Sequence, residues 1–531
     1  MTQPLNQSAG FSLKFNPKPL FESGIVGAII VFIAGAFLAL AFAPVNLYFL
    51  AVISLCVLFY ALLFVTPLRA AYLGWWFGLG YFGMGVSWGF VAIYVFGLSS
   101  IFISALLTFL GIAFLSLYVA LFTYLSILLK QKISSVKLQY SLFVIFPSLW
   151  ALSEWFRGWF LTGFPWLSVG YSQTDSFLSG YAPVLGVFGI SWLVALSASL
   201  LLILFLEKKD KFIYLILLLS IWLGGMFLSQ VNWTQAIDKP IKVSLVQGNV
   251  EQENKWDPEQ FEKRKQRYLS LTEKHWDSDL ILWPENSLTI FYHQLDKNVL
   301  QPLSKKAKKN NTDIILGLPV LNKKRDEYFS SMMALGRSFE KDKPQFYHKS
   351  HLVPFGEYVP FESSLRGLIS FFDLPMSGFT PGSSEQKLFT AAGQKIAPTI
   401  CYEDAFGEDV IRFLPEATLL LNASNNAWYG DSFAPHQHVQ ISQMRALETG
   451  RDMMRVTTNG VSALINYKGK ILKRSKQFEA DVVTGMVQPR HGATPYVLWG
   501  NIIILLIITL GLLFIVIISY MKNSKENFIV V

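Results

Sequence analysis

The feature that most limits the possible folds of this chain is a set of long apolar runs. A helix needs about 20 residues to cross a hydrocarbon core of about 30 Å. Runs of that length recur before residue 230 and occur again after residue 496. The first is too long for the core of a signal peptide and precedes no small-residue cleavage pattern, so we expect it to be retained. We predict eight membrane helices, at residues 22–43, 47–65, 70–96, 99–129, 139–158, 177–206, 212–229 and 497–520.

The stretch between the seventh and eighth runs has a different composition. Charged residues make up 15% of the chain, whereas about 25% is usual in soluble proteins. Most of the charged residues of this chain lie in the stretch between the two runs. We therefore predict a membrane domain with seven helices at 1–229, an extramembrane domain at 230–496, and an eighth helix with a short tail at 497–531. The middle domain is long enough to bury a full hydrophobic core.

Short apolar or β-branched runs in the middle domain are interrupted by a helical pattern. Residues 257–276 form a predicted amphipathic helix, with Asp257 as its N-cap and Pro258 in its first turn. Strands interleaved with helices indicate an α/β domain. We predict strands at residues 241–247, 280–283, 314–318, 332–335, 396–400, 419–421, 455–458 and 482–487.

Basic residues beside the apolar runs predict the orientation of the chain, because cytoplasmic loops carry an excess of lysine and arginine. If the N-terminus is cytoplasmic, the short outside loops hold only Arg157. The middle domain then lies opposite both termini. The net charge is +9, and much of it borders the apolar runs. Because the sequence also contains no nucleic-acid-binding motif, we expect no nucleic-acid partner. The inside segments hold Lys14, Lys18, Arg69, Lys130, Lys132, Lys137, Lys208, Lys209, Lys211, Lys522 and Lys525.

The chain has two cysteines, which the predicted topology keeps apart. Cys56 lies in the second apolar run and Cys401 in the middle domain, so we expect no disulfide. A single thiol on the outer, oxidising side suggests a reactive group, although an inert buried thiol is the alternative. Cys401 ends the strand-like run K-I-A-P-T-I, where a nucleophile would be exposed and the amide of Tyr402 could face a developing oxyanion.

Two further residues supply what a cysteine nucleophile needs. Glu285 follows a strand and a proline in D-L-I-L-W-P-E-N-S, in the same way as Cys401 follows its strand. A free thiol is only a few per cent ionised at neutral pH, so it requires a neighbouring base or cation. We interpret Glu285 as the base and Lys349 as the cation, and this combination indicates amide-type chemistry. Taken singly, such a glutamate is more often a solvated turn residue.

Longer motifs around these residues resemble a known superfamily. W-P-E, then Y-H-K-S-H-L-V-P-F-G-E-Y, then C-Y-E-D are similar to the Glu–Lys–Cys pattern of the nitrilase superfamily, which implies an α-β-β-α sandwich. With eight spans, G-F-P-W-L-S-V-G-Y-S-Q and W-Y-G-D-S-F-A-P-H-Q-H, nearly the whole chain resembles the apolipoprotein N-acyltransferase family. That resemblance implies a monomeric acyltransferase of the bacterial inner membrane. Its catalytic domain would be periplasmic, its donor phosphatidylethanolamine and its acceptor a diacylglyceryl apolipoprotein.

The resemblance also implies roles for individual residues. Glu285 would be the general base, Lys349 the oxyanion partner and Cys401 the acyl acceptor, with Glu357 in support. For the tryptophans, anchoring at the membrane interface is the alternative. The positions that match those used around the lipid and the acceptor are Trp256, Trp428, Trp166, Tyr402, Glu403 and Arg366.

Two positions depart from the family pattern. Ser330 stands where family members often have Asn, and Asn426 stands where they often have Asp before A-W. Either departure could change the acceptor pocket, and neither touches the proposed triad.

Four other polar residues are candidates for a site. His436 and His438 lack the carboxylate or cysteine spacing that completes a metal site, so we expect neither a metal nor a cofactor. Glu154 and Arg157 lie three residues apart, on one face of a helix near the membrane. A carboxylate at this depth suggests a functional residue, and the alternative is an ion pair at a helix end.

Two other functions remain open from the residues alone. One is a membrane-tethered hydrolase, in which water replaces the amine. The other is a non-enzymatic protein that binds lipid or lipoprotein. Detection of an acyl-enzyme and its transfer to an amine would separate them.

Overall fold

A computed structural model describes residues 18–96, 100–133, 137–207, 209–322, 326–337, 343–358 and 378–529. The part before residue 230 is helical. Its helices are α1 Lys18–Glu22, α2 Val26–Ala39, α3 Phe49–Leu62, α4 Pro67–Gly85, α5 Gly89–Val91, α6 Ile101–Lys132, α7 Leu138–Tyr140, α8 Phe146–Arg157, α9 Ala182–Leu206 and α10 Lys211–Leu228.

Several of these helices are long and apolar enough to cross a membrane. Within the described ranges there are four: Ile101–Lys132, Phe177–Leu206, Lys211–Leu228 and Ile502–Lys522. A fifth is obtained if Pro67–Gly85 and Gly89–Val95, which meet at 63°, count as one span. The apolar helices α2 and α3 are shorter, and a π-helical turn at Ser141–Ile145 separates α7 from α8. The prediction of several helices that are long and apolar enough to span a membrane is therefore confirmed, whereas the predicted number of eight is not.

The middle part is built from strands and flanking helices. The strands are β1 Gln235–Ala236, β2 Ile241–Gln247, β3 Leu280–Leu282, β4 Asp313–Asn322, β5 Glu327–Gly336, β6 Phe346–His348, β7 Phe389–Ala391, β8 Gln394–Ile400, β9 Leu419–Ser424, β10 Met453–Thr457, β11 Ala463–Ile465, β12 Ile471–Arg474, β13 Asp481–Val487 and β14 Arg490–His491. The later helices are α11 Phe261–Thr272, α12 Tyr292–Leu295, α13 Gln301–Lys309, α14 Gly407–Ile411, α15 Ala434–Thr449, α16 Pro495–Trp499 and α17 Ile502–Ile529.

Each of the eight predicted strands overlaps an observed one, and the predicted helix at 257–276 contains α11. The strands form two six-stranded sheets, in the orders β13-β2-β3-β4-β5-β6 and β12-β11-β10-β9-β8-β7. The strand pairs β2–β3, β3–β4, β8–β9 and β9–β10 are parallel. Parallel strands buried on both faces are continuously apolar rather than alternating, as the wholly buried Leu-Ile-Leu sequence of β3 shows.

The two sheets pack face to face and carry helices on their outer sides. Val243 and Leu282 of one sheet share a core with Ile396 and Leu421 of the other. The first sheet packs outward against α11 and α13, and the second against α15. These four layers confirm the predicted α-β-β-α sandwich.

Side chains of the sandwich also pack into the core of the membrane helices. Tyr402 and Met444 belong to the same apolar cluster as residues of α2, α3, α4 and α9. The Tyr171 hydroxyl donates to the Ala405 carbonyl at 3.1 Å, and Glu448 accepts from the Val187 amide at 2.8 Å. These contacts set the carboxyl end of β8 against the helices.

Candidate active site

The carboxyl ends of three strands, two in one sheet and one in the other, carry the predicted catalytic residues. Glu285 follows β3, Lys349 follows β6 and Cys401 follows β8. Cys401 has φ +53, a left-handed conformation that a non-glycine residue adopts only in a sharp turn. The Asn422 side chain donates to the Cys401 carbonyl at 3.0 Å and so holds that turn. The thiol is therefore fixed at the end of a rigid element.

Lys349 is buried between two carboxylates. Its Nζ lies 2.8 Å from Glu357 Oε1 and 3.3 Å from Glu285 Oε1. Burial alone would lower the pKa of Lys349, but the charges of Glu285 and Glu357 outweigh it and raise that pKa well above its usual value. Burial raises the pKa of Glu357, against the opposing charge of Lys349. Lys349 is therefore a permanent cation in this site.

The Cys401 thiol is protonated at neutral pH. Burial is the largest cause, and with the charge of Glu285 it raises the pKa of Cys401 to about 12, although Lys349 acts in the opposite direction. The nearby cation by itself therefore does not produce a thiolate. Attack by the sulfur requires a base that removes the proton during the reaction.

The predicted catalytic residues open into a cavity of about 740 Å³. Its polar end is formed by Cys401, Glu285, Lys349 and Glu357, and its other wall by apolar side chains of the membrane helices. Cavities of this size with a few convergent polar groups are typical of ligand sites. The apolar side chains of α6 that line it are Leu107, Ile112, Phe114 and Leu115.

Four of the six predicted substrate-binding residues line this cavity: Trp256, Trp428, Trp166 and Tyr402. Arg366 lies outside the described residues.

Glu403, the remaining one, does not contact the cavity. Its carboxylate accepts from the amides of Ser350 at 2.6 Å, His351 at 3.1 Å and Ile400 at 2.6 Å, and from the Tyr347 hydroxyl at 2.9 Å. It therefore joins the segment after Lys349 to the strand that ends at Cys401.

The predicted pair Glu154 and Arg157 supports the loop that carries Trp166. Glu154 accepts from the Val169 amide at 2.9 Å, and Arg157 donates to the carbonyls of Phe164 and Trp166 at 2.6 and 2.5 Å. Both side chains are buried. These hydrogen bonds hold the segment that places Trp166 in the cavity wall.

A buried polar network behind Cys401 was not predicted from the sequence. His438 Nε2 lies 2.8 Å from Asp404 Oδ1 and 3.2 Å from the Cys401 carbonyl oxygen. Burial would raise the pKa of Asp404, but the charges of His438 and Arg455 lower it. Asn426 accepts from Arg455 at 2.9 Å and lies 3.1 Å from His438 Nδ1. Asn426, one of the two departures from the family pattern, therefore contacts this buried polar network rather than the cavity.

The second departure lies beside a cavity residue. Ser330 accepts from Asn286 Nδ2 at 3.1 Å, and its carbonyl accepts from the Lys349 amide at 2.8 Å. Asn286 lines the cavity. Ser330 therefore touches the cavity wall and the strand end that carries Lys349.

Lys255 is a cavity residue that the sequence analysis missed. It is buried, lines the cavity and donates to the Glu285 carbonyl oxygen at 3.0 Å. Its position before Trp256 in K-W-D-P was the available signal, but a lysine beside a tryptophan carries little information without its neighbours in space.

The fold and the strand-end residues define a carbon–nitrogen hydrolase type of domain joined to apolar helices. Residues 34–200 match the apolipoprotein N-acyltransferase N-terminal domain, and residues 242–496 match the carbon-nitrogen hydrolase family. A CN-hydrolase superfamily protein of Xanthomonas campestris is 20% identical, with a TM-score of 0.35 over 47% of this chain and 91% of its own.

Curated relatives extend the match over most of the chain. The apolipoprotein N-acyltransferase of Methylococcus capsulatus is 42% identical over 88% of this chain and 91% of its own length. That of Nitrosomonas europaea is 40% identical over 92% of this chain and 97% of its own length. The chain belongs to the apolipoprotein N-acyltransferase family.

Proposed function

We propose that this protein transfers an acyl chain from a phospholipid to the N-terminal amine of the diacylglyceryl-cysteine of bacterial apolipoproteins. The transfer passes through a thioester on Cys401. The observation that carries the proposal is the cavity, which joins an apolar wall of membrane helices to Cys401, Glu285 and Lys349. Relatives that share about 40% of their residues over most of the chain carry the same acyltransferase name.

In the first half-reaction, Glu285 takes the proton of the Cys401 thiol while the sulfur attacks the ester carbonyl. Lys349 and the Tyr402 amide hold the oxyanion, and the loss of one such donor typically costs about 2.7–4 kcal/mol. The ester C–O bond then breaks. The proton on Glu285 passes to the glycerol oxygen, and a lysophospholipid leaves.

In the second half-reaction, the acceptor amine attacks the thioester on Cys401. Glu285 receives a proton from the amine as the C–N bond forms. The C–S bond breaks, and that proton returns to the sulfur. Because the covalent intermediate separates the two substrates, the kinetics are ping-pong.

The remaining site residues act around this chemistry. Glu357 positions Lys349, while Trp256, Trp428, Trp166 and Tyr402 contact the lipid or the acceptor.

Glu403 and Arg366 differ from these four residues. Glu403 acts through the segment after Lys349 rather than by contact with substrate. For Arg366, a substrate-binding role rests on the resemblance alone.

The membrane helices remove an energetic barrier to the use of a lipid donor. Each CH₂ moved into water costs about 0.8 kcal/mol, so extraction of a chain of about 16 carbons would cost roughly 12 kcal/mol. A cavity walled by these helices avoids the extraction. Phosphatidylethanolamine is our choice of donor from the family resemblance.

We further propose eight spans, in which α2, α3 and the α7–α8 segment each cross despite their short or interrupted helices. The membrane domain is 1–229, the periplasmic catalytic domain is 230–496, and the eighth span and tail are 497–531. Both termini are cytoplasmic, and the membrane is the bacterial inner membrane. The asymmetric distribution of lysine and arginine supports this orientation. We propose that the protein acts as a monomer, as the family resemblance implies.

The decisive experiment separates a transferase from a hydrolase or a binding protein. Without acceptor, the purified protein in phospholipid micelles should gain the mass of one acyl chain. The Cys401→Ala variant should show no such gain. A diacylglyceryl-cysteine peptide should clear this adduct and become N-acylated. Decay to fatty acid at equal rates with and without peptide would contradict the transferase. Lipid bound without an adduct would indicate a binding protein.

A further inference from the structure

Lys255 is a buried cation whose charge the mechanism above does not use. Lys255 lies in the segment that connects β2 to α11, and only 2% of the residue is exposed. Its one hydrogen bond within the described part of the chain goes to the Glu285 carbonyl oxygen at 3.0 Å. An ammonium has three donors. Two donors therefore remain for a ligand in the cavity that Lys255 lines.

The other lysine of the cavity is already committed to carboxylates. Lys349 lies 2.8 Å from Glu357 and 3.3 Å from Glu285, whereas no carboxylate among the described residues forms an ion pair with Lys255. These two are the basic side chains among the described residues that line the cavity. A buried charge without a paired partner is unfavourable, so Lys255 is suited to an anion supplied by a ligand.

The surroundings keep Lys255 in place and largely protonated. Arg264 donates to the carbonyls of Asn254 at 2.6 Å and Asp257 at 2.9 Å, on either side of Lys255. Burial lowers the pKa of Lys255 to about 8, although the charge of Glu285 opposes this. A bound anion would raise that pKa again. The cavity is thus lined by an ammonium group held in place, with which an anionic ligand would form a favourable charge-assisted hydrogen bond.

We propose that Lys255 forms an anion-binding subsite for the phosphodiester of the acyl donor, and so favours a charged donor over a neutral one. The inference rests on the proposed function. With the acyl chain on the apolar wall and the ester carbonyl at Cys401, the phosphate lies in the part of the donor beyond the ester. The acceptor amine, a cation before it loses its proton, is not attracted to Lys255.

The test compares two donors that differ in the phosphate. Full-length protein in detergent micelles is given dipalmitoyl phosphatidylethanolamine or dipalmitoylglycerol, and single-turnover acylation of Cys401 is followed by intact mass. The variants are Lys255→Met, which removes the charge and the hydrogen bond, and Lys255→Gln, which retains a donor. Lys263→Met, at an exposed position of α11, is the matched control.

We expect both Lys255 variants to reduce the ratio of phospholipid to diacylglycerol rates by about 10- to 100-fold, as loss of a charge-assisted hydrogen bond predicts. Lys263→Met should keep the wild-type ratio. If Lys255→Met fails to fold, the ratio of the two rates in Lys255→Gln is compared with that of the wild type instead.

Two outcomes would overturn the inference alone. Equal losses with both donors would show that Lys255 only positions Glu285. A normal ratio in Lys255→Gln would show that the hydrogen bond suffices without the charge. A wild-type protein that forms no thioester with either donor would instead refute the proposed function, and the inference with it.

Discussion

Replacement of Lys349 by methionine tests the charge arrangement of the site most directly. Methionine has a similar length and no charge, so Lys349→Met removes the contacts of 2.8 Å to Glu357 and 3.3 Å to Glu285. Two buried carboxylates are then left without their cation. The change should affect both the acylation of Cys401 and the dependence of stability on pH.

The effect on rate follows from the oxyanion. Loss of one donor costs about 2.7–4 kcal/mol, which corresponds to about 10²- to 10³-fold in rate. Lys349 also lowers the pKa of Cys401, so its loss makes the thiol harder to ionise. Both effects slow acylation. Lys349→Arg should also be slow, because a planar fork does not replace a compact ammonium.

The effect on stability has a defined sign. The pKa of Glu357 is already raised in the folded protein by burial, and removal of Lys349 raises it further. A carboxyl group with a raised folded pKa favours folding when protonated, and that contribution is lost as the pH rises through the folded pKa. Breaking a buried pair typically costs about 3–5 kcal/mol. The variant should therefore lose more stability at pH 8 than at pH 5.

The assays are single-turnover acylation of Cys401 and thermal unfolding at both pH values. Lys305→Met, at an exposed position of α13, serves as the control. An acylation rate within threefold of the wild type would remove Lys349 from the mechanism. An equal loss of stability at pH 5 and pH 8 would refute the account of Glu357.

Further predictions address the nucleophile, the base and the orientation. Cys401→Ser should abolish lipoprotein N-acylation while Cys56→Ala changes it little, and normal activity in Cys401→Ser would exclude the thioester. Glu285→Gln should slow acylation by about 10²- to 10⁴-fold in a protein that unfolds like the wild type, as single-turnover mass measurements can check. A thiol reagent that cannot cross membranes should label Cys401 in intact spheroplasts; labelling only after lysis would reverse the orientation.

The sequence by itself determined the elements whose patterns are local. The strands before Glu285 and Cys401 are short apolar runs that end in polar turns, and such a pattern needs no knowledge of distant residues. Glu285, Lys349 and Cys401 could be grouped from the sequence because each stands in a motif of the resembled superfamily, although they follow strands of two different sheets. The apolar runs likewise indicated membrane helices, because hydrocarbon excludes charge along every face of a span.

Only the tertiary structure decided how these elements bend and what lies between them. The run predicted as one helix at 70–96 breaks by 63° after Gly85, since an apolar run specifies its environment but not its straightness. Glu403 is directed to the backbone of neighbouring segments rather than to the cavity, although it lies only two residues from Cys401. Lys255 gains meaning only beside Glu285, which is remote in sequence. Burial and charge pairing depend on such distant partners, and no local pattern records them.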